Sequence, residues 1–121
     1  MIYYVNGKYI DSSKANISIS DAGFLYGDGL FETMRFDNRK IFSPLKHITR
    51  LQKGLRIINL KINYNQNSLL DLLNTVIEKN NLDDGIIRLM ITRGDTNNIE
   101  EIPSIIIVVK AFYDIPQKPV K

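Results

Sequence analysis

Residues 21–35 read DAGFLYGDGLFETMR. Three of the chain's seven glycines fall here, directly before the alternating run Leu30-Phe31-Glu32-Thr33-Met34-Arg35. Glycine in such a place marks a backbone that turns tightly or lets another group come close. The alternation predicts a strand over Leu30 to Phe36, with successive side chains on opposite faces. Lys40 to Phe42 is its expected partner across Asp37-Asn38-Arg39.

Downstream the period changes. Ser43-Pro44 offers an N-cap followed by proline at the first helical position. Leu45, Ile48, Leu51, Leu55 and Ile58 then recur at three- and four-residue spacing, which predicts one apolar helix face. Leu69, Leu72, Leu73, Val76 and Ile77 predict a second helix that ends near Asn80-Asn81. Ile86 to Thr92 and Ile105 to Val109 are β-rich, with the polar stretch Gly94 to Pro103 between them. The second run is apolar throughout, which predicts burial on both faces. Upstream, Tyr3 to Val5 and Lys8 to Ile10 flank Asn6-Gly7, a strong hairpin dipeptide. Ile17 and Ile19 alternate with serines, as in a further short strand.

Strands, two helices and strands again give an α+β architecture: a mostly antiparallel sheet with two helices on one face. The unit runs over residues 1–113. Residues 114–121 set prolines among polar side chains and read as the start of an interdomain linker, so a large catalytic domain is expected to follow.

Composition narrows the chemistry. At 121 residues the chain is one domain by length, 44% hydrophobic and 24% charged, with a net charge of +3. Lys and Arg are scattered, and no basic stripe interleaved with aromatics points to nucleic acid. No apolar run approaches a membrane span, and the N-terminus lacks the pattern of a signal peptide. Cysteine is absent, which removes disulfides and thiolate metal sites and fits a cytoplasmic setting. A single histidine removes metal centres built on several imidazoles. Neither a Walker-type loop nor a Gly-x-Ser-x-Gly elbow occurs. What remains is Arg35 on the glycine-rich strand, with His47 and Arg50 on the helix that follows.

These residues belong to a longer series. Asn6-Gly7, Ser20-Asp21-Ala22-Gly23-Phe24, Tyr26 through Arg35, His47-Ile48-Thr49-Arg50-Leu51, Ile87-Arg88 and Thr92-Arg93-Gly94 follow one another in order. The series resembles the small N-terminal domain of the class IV, or fold-type IV, aminotransferases. That family uses pyridoxal phosphate and includes branched-chain and D-amino acid aminotransferases and aminodeoxychorismate lyases.

The resemblance implies a cofactor held in a cleft between this domain and a large one. It implies that Arg50 reaches the cofactor phosphate, a role that suits a permanently charged guanidinium fork. Phe31, Thr33 and Arg35, on one strand face, would look toward substrate, with Arg88 at the pocket edge. The glycines would keep bulk away from that cleft, and Arg50 would share one hollow with the face bearing Phe31 and Arg35. On residue grounds alone the readings are plainer. Arg50 is a surface arginine paired with a carboxylate, and His47 caps or packs. Phe31 is core, Arg35 and Arg88 are solvated strand residues, and Asp28 is a turn residue bonding nearby amides.

The family's catalytic lysine comes from the large domain. No lysine here matches it, Lys110 included, so no catalytic residue is assigned to this chain and these residues alone are expected to be inactive. The parent enzyme would transaminate an amino acid or eliminate pyruvate from aminodeoxychorismate. Phe31, Thr33 and Arg35 look most like the lyase group or a general class IV aminotransferase, with branched-chain enzymes second. Phe31 and the loop Asp95 to Glu100 lack the tyrosine and the Arg-x-His trap of D-amino acid aminotransferases. Homodimers are implied, with residues 94–103 as the loop lent to a partner's site. A non-catalytic α+β domain, used for dimerisation or small-ligand binding, is the rival reading.

Overall fold

A computed structural model describes residues 1–114; most of the expected linker, residues 115–121, lies outside them. Six strands form one antiparallel sheet: β1 (Ile2–Val5), β2 (Lys8–Asp11), β3 (Gly29–Asp37), β4 (Lys40–Ile41), β5 (Gly85–Thr92) and β6 (Ser104–Ala111). Their order across the sheet is β2-β1-β6-β5-β3-β4. The long central pairs set the register, with Phe31 opposite Met90, Thr33 opposite Arg88 and Arg88 opposite Val108. Strand β4 pairs only with Phe36 and Asp37 of β3. Among the described residues the stretch from Gly29 to Met34 therefore has no strand on its outer side, and this free edge positions the site described below.

Helices α2 (Pro44–Ile57) and α3 (Gln66–Asn80) cover one face of the sheet. Their apolar stripes supply Ile48, Leu51 and Leu55 from α2 and Leu69, Leu73, Val76 and Ile77 from α3, all buried. The sheet answers with Met34 and Phe36, Ile87, Leu89 and Ile91, and Ile105, Ile107 and Val109. Burial of each such side chain contributes about 1.5–3 kcal/mol, which makes this layer the main source of stability. Asn65 caps α3 in a reciprocal pair with Ser68, each side chain accepting from the other's backbone N–H at 2.8 Å.

Several local expectations change. Ile17 to Ile19 forms no strand, because Ser18 bonds back to the chain: its hydroxyl accepts from Ser20 N–H and its carbonyl from Asp21 N–H. A short helix, α1 (Ala22–Tyr26), occupies the glycine-rich stretch instead, capped by the Asp21 carboxylate and stopped by Gly27 at φ +65°. Leu45, expected on the apolar face of α2, is 48% exposed. Gly29 allows a close approach inside the sheet, since a Cβ there would lie 2.6 Å from the Ile91 carbonyl oxygen, and with Gly23 and Gly27 it also lines a hollow beside Phe31. Ser43 precedes Pro44 as expected but sits at φ +49° with no side-chain cap. Strand β6 is buried on one face only: Ile107 and Val109 are covered while Ile106 and Val108 remain half-buried, because helices lie on one side of the sheet. No helix among the described residues is long and apolar enough to cross a membrane.

Candidate functional site

Strand β3 presents two rows. Leu30, Glu32, Met34 and Phe36 point toward the helices; Phe31, Thr33 and Arg35 point to the open face. Three members of the inner row are apolar, and Glu32 is a carboxylate only 8% exposed. A buried carboxylate needs partners, and α2 provides two. Arg50 donates from Nε to Glu32 Oε2 at 3.0 Å and from Nη2 to Oε1 at 2.6 Å. His47, one turn earlier on the same helix face, places Nδ1 2.7 Å from Oε1. Burial pushes the Glu32 carboxyl up, but hydrogen bonds and charge from Arg50 and His47 outweigh it and hold the group below its ordinary value. Oε1 of the ionised carboxylate accepts, so the shared proton belongs to His47 Nδ1.

The Arg50 side chain remains 71% exposed. A guanidinium carries five N–H donors; Glu32 engages the Nε donor and one on Nη2, which leaves Nη1 and the other Nη2 hydrogen for an outside group. Together with Leu45, Lys46, Thr49 and Lys53, Arg50 lines a shallow depression on the outer side of α2; three of the five lining residues are cationic, while its wall is mostly their apolar stems. This donor set fits an anionic phosphate.

The open face is built differently. Arg88 lies over the Phe31 ring at 4.1 Å and Arg35 over the Phe112 ring at 4.6 Å. Neither arginine has an ion-pair partner among the described residues. Phe31 is 57% exposed and borders a hollow of about 360 Å³ with Phe24, Leu30, Met90 and Ile106. Lys110 lies opposite Ile86, itself the partner of Arg35, at the exposed end of β6. Within this chain, then, Arg50 and the Phe31, Thr33 and Arg35 row do not share one hollow. The sheet separates them, and the free outer edge of β3 is what they have in common.

Two residues that hold this region together were given no role in the sequence reading. Glu32 had a visible signal, a lone acid in an apolar row. Arg93 had less: its Nε bonds Asp28 Oδ2 at 2.7 Å, while Nη2 and Nη1 reach the carbonyls of Ile58 and Asn59 at 2.7 and 3.4 Å. It fastens the turn before β3 to the end of α2. Asp28 accordingly serves this ion pair rather than nearby amides, and His47 bonds a carboxylate rather than capping its helix.

The chain and its fold resemble known proteins. The chain is 37% identical over 94 residues to a putative branched-chain-amino-acid aminotransferase of Methanocaldococcus jannaschii, covering 78% of the chain and 33% of that protein. It is 30% identical over 101 residues to a D-alanine aminotransferase of Staphylococcus aureus (strain MSSA476), covering 84% of the chain and 36% of the relative. The chain thus spans about a third of the length of these relatives. Among solved structures, the branched-chain amino acid aminotransferase of Escherichia coli superposes with a TM-score of 0.83 at 24% identity, over 92% of this chain and 41% of that one. A hypothetical aminotransferase from Mycobacterium tuberculosis, in its PLP-bound form, superposes at 0.80 and 17% identity, over 92% of this chain and 39% of that one. The family model described as amino-transferase class IV matches residues 29–121, and with the sheet, the two covering helices and the motif order in agreement, this chain belongs to the class IV aminotransferases.

Proposed function

We propose that this chain is the small domain of a pyridoxal phosphate enzyme of amino acid metabolism, in which Arg50 binds the cofactor phosphate. The observation that carries the reading is the Arg50 fork, locked side-on by Glu32 with donors left facing outward beside the free edge of β3. The cofactor, when bound, supplies the electron sink for chemistry at the carbon bearing the amino group. This chain's part is to hold the phosphate through Arg50 and to wall a substrate region with Phe31, Thr33, Arg35 and Arg88. The covalent lysine is expected from a large domain, so residues 1–121 alone are expected to be inactive.

Transamination is the outcome that the relatives favour. Pyruvate elimination from aminodeoxychorismate is the second reading, supported by the likeness of Phe31, Thr33 and Arg35 to the lyase group. Assays of the complete polypeptide with branched-chain amino acids, D-alanine and aminodeoxychorismate decide among the substrates. A homodimer that lends residues 94–103 to the partner's site and a cytoplasmic setting belong to the same proposal.

The test is cofactor binding by the complete polypeptide. Arg50→Ala is expected to weaken pyridoxal phosphate binding by roughly tenfold or more, because a charge-assisted hydrogen-bond donor to the phosphate is lost. Binding unchanged from the parent removes Arg50 from the site.

A further inference from the structure

Glu32 poses a question that the phosphate reading leaves open. Removing a buried ion pair in favour of apolar side chains of similar volume is often neutral or stabilising. The other inward positions of β3 are Leu30, Met34 and Phe36, so an apolar residue at 32 would extend the existing core. A carboxylate at this one position satisfies no buried polar group of the sheet; its partners are Arg50 and His47, both brought to it by α2. Both oxygens are used, and Oε1 is shared between Arg50 Nη2 and His47 Nδ1. The shared oxygen fixes two side chains from one helix against one point on the strand.

The guanidinium hangs on a long, rotamer-rich stem, and its exposed head would otherwise sample many orientations. Two parallel hydrogen bonds to one carboxylate remove rotation about that stem and set the plane of the fork. The donors left free are those on the edge away from Glu32.

We infer that Glu32 is a positioning residue for the phosphate: it orients Arg50, with His47 bracing the carboxylate, so that the free guanidinium edge meets the phosphate beside the outer edge of β3. This inference rests on the proposed role of Arg50. Glu32 itself touches no cofactor atom, since its carboxylate would repel the phosphate.

The experiment compares pyridoxal 5'-phosphate with pyridoxal, which lacks the phosphate, in the complete polypeptide. Dissociation constants are read from cofactor absorbance, with far-UV circular dichroism as the check on folding. Glu32→Gln keeps the size of the side chain but turns an acceptor into an N–H₂ that cannot take both Arg50 bonds. It is expected to weaken pyridoxal phosphate binding roughly tenfold and to leave pyridoxal binding within about twofold. In the Arg50→Ala background the same change is expected to add nothing beyond about twofold. Glu32→Asp, which retains charge and both oxygens, is expected to recover part of the loss and serves as the second variant if Glu32→Gln folds poorly. Equal weakening of both ligands, or a full additional loss in the Arg50→Ala background, overturns the inference and makes Glu32 a structural clip. If Arg50→Ala fails to discriminate pyridoxal phosphate from pyridoxal, the reading of Arg50 falls instead. If Arg50→Ala discriminates and Glu32→Gln does not, only the role of Glu32 falls.

Discussion

Two arginine–carboxylate pairs flank β3, and they differ in what is left over. Arg93 uses its Nε on Asp28 and both terminal nitrogens on the carbonyls of Ile58 and Asn59 at the end of α2. All three of its nitrogens are engaged by the protein. Arg50 commits one side of its fork to Glu32 and keeps the rest exposed. Their shortest N–O distances are alike, at 2.7 and 2.6 Å, but Arg93 holds its carboxylate at one point and Arg50 at two. The arginine whose three nitrogens all bond the protein, with its side chain 24% exposed, is a fastening; the one that keeps a whole nitrogen free, with its side chain 71% exposed, is a candidate site. Free valence, not the presence of a salt bridge, separates them.

The sharpest way to break this comparison is to remove each arginine and read two quantities, cofactor affinity and stability. Arg50→Ala should lower pyridoxal phosphate affinity by roughly tenfold to a hundredfold. Arg93→Ala should cost about 1–3 kcal/mol in denaturant unfolding, because a carboxylate and helix-end carbonyls lose their donor, with cofactor affinity changed less than about threefold. A large cofactor loss in Arg93→Ala without loss of stability would erase the distinction.

A smaller effect should appear with pH. Burial raises the Glu32 carboxyl, and the bonds from Arg50 and His47 more than reverse that, so its folded-state value is depressed. A depressed carboxylate contributes stability that is present above its unfolded-state pKa and is lost as pH falls through the folded value. Denaturant midpoints followed from about pH 6 to pH 3 should therefore decline, and Glu32→Gln should flatten the part of the decline below the ordinary glutamate range near about 4.3. An unchanged acid limb in Glu32→Gln would mean that the pair adds nothing to folding. The smallest effect concerns the open face. Arg88→Gln, which removes the cation stacked on Phe31, should raise KM for an amino acid substrate by about threefold to tenfold with cofactor affinity unchanged.

Much of the fold was legible because hydrophobic period carries it. Ile48, Leu51 and Leu55 of the α2 stripe and the row Ile87, Leu89 and Ile91 appear in the structure as buried faces, while Leu45 at the head of the stripe is exposed and Ile58 half-buried. What failed were places where side chains bond their own backbone or where coverage is one-sided. Ser18 and Asp21 converted an apparent strand into a turn and a helix cap. Strand β6 looked doubly buried because its sequence is apolar on both rows, yet sequence does not say which face lacks a cover. Within the site, motif order brought Arg50, Phe31, Thr33, Arg35 and Arg88 to notice. Parity along β3 places Phe31, Thr33 and Arg35 on one side of the sheet, the register of β5 adds Arg88 opposite Thr33, and the same parity isolates Glu32. The reach of Arg93 to Asp28 depends on a tertiary approach of the β5 end to the turn before β3, which no local pattern encodes.

The outer side of Gly29 to Met34 has one more consequence, a colloidal one. At the opposite margin the sheet closes on β2, a four-residue ribbon carrying Lys8 and Asp11. Among the described residues the β3 margin has no such guard: its outer peptide groups face no strand, with the Phe31 ring beside them. Left uncovered in concentrated solution, that margin is a template for pairing with another copy, so the shelf life of this domain depends on what occupies the border of its sheet.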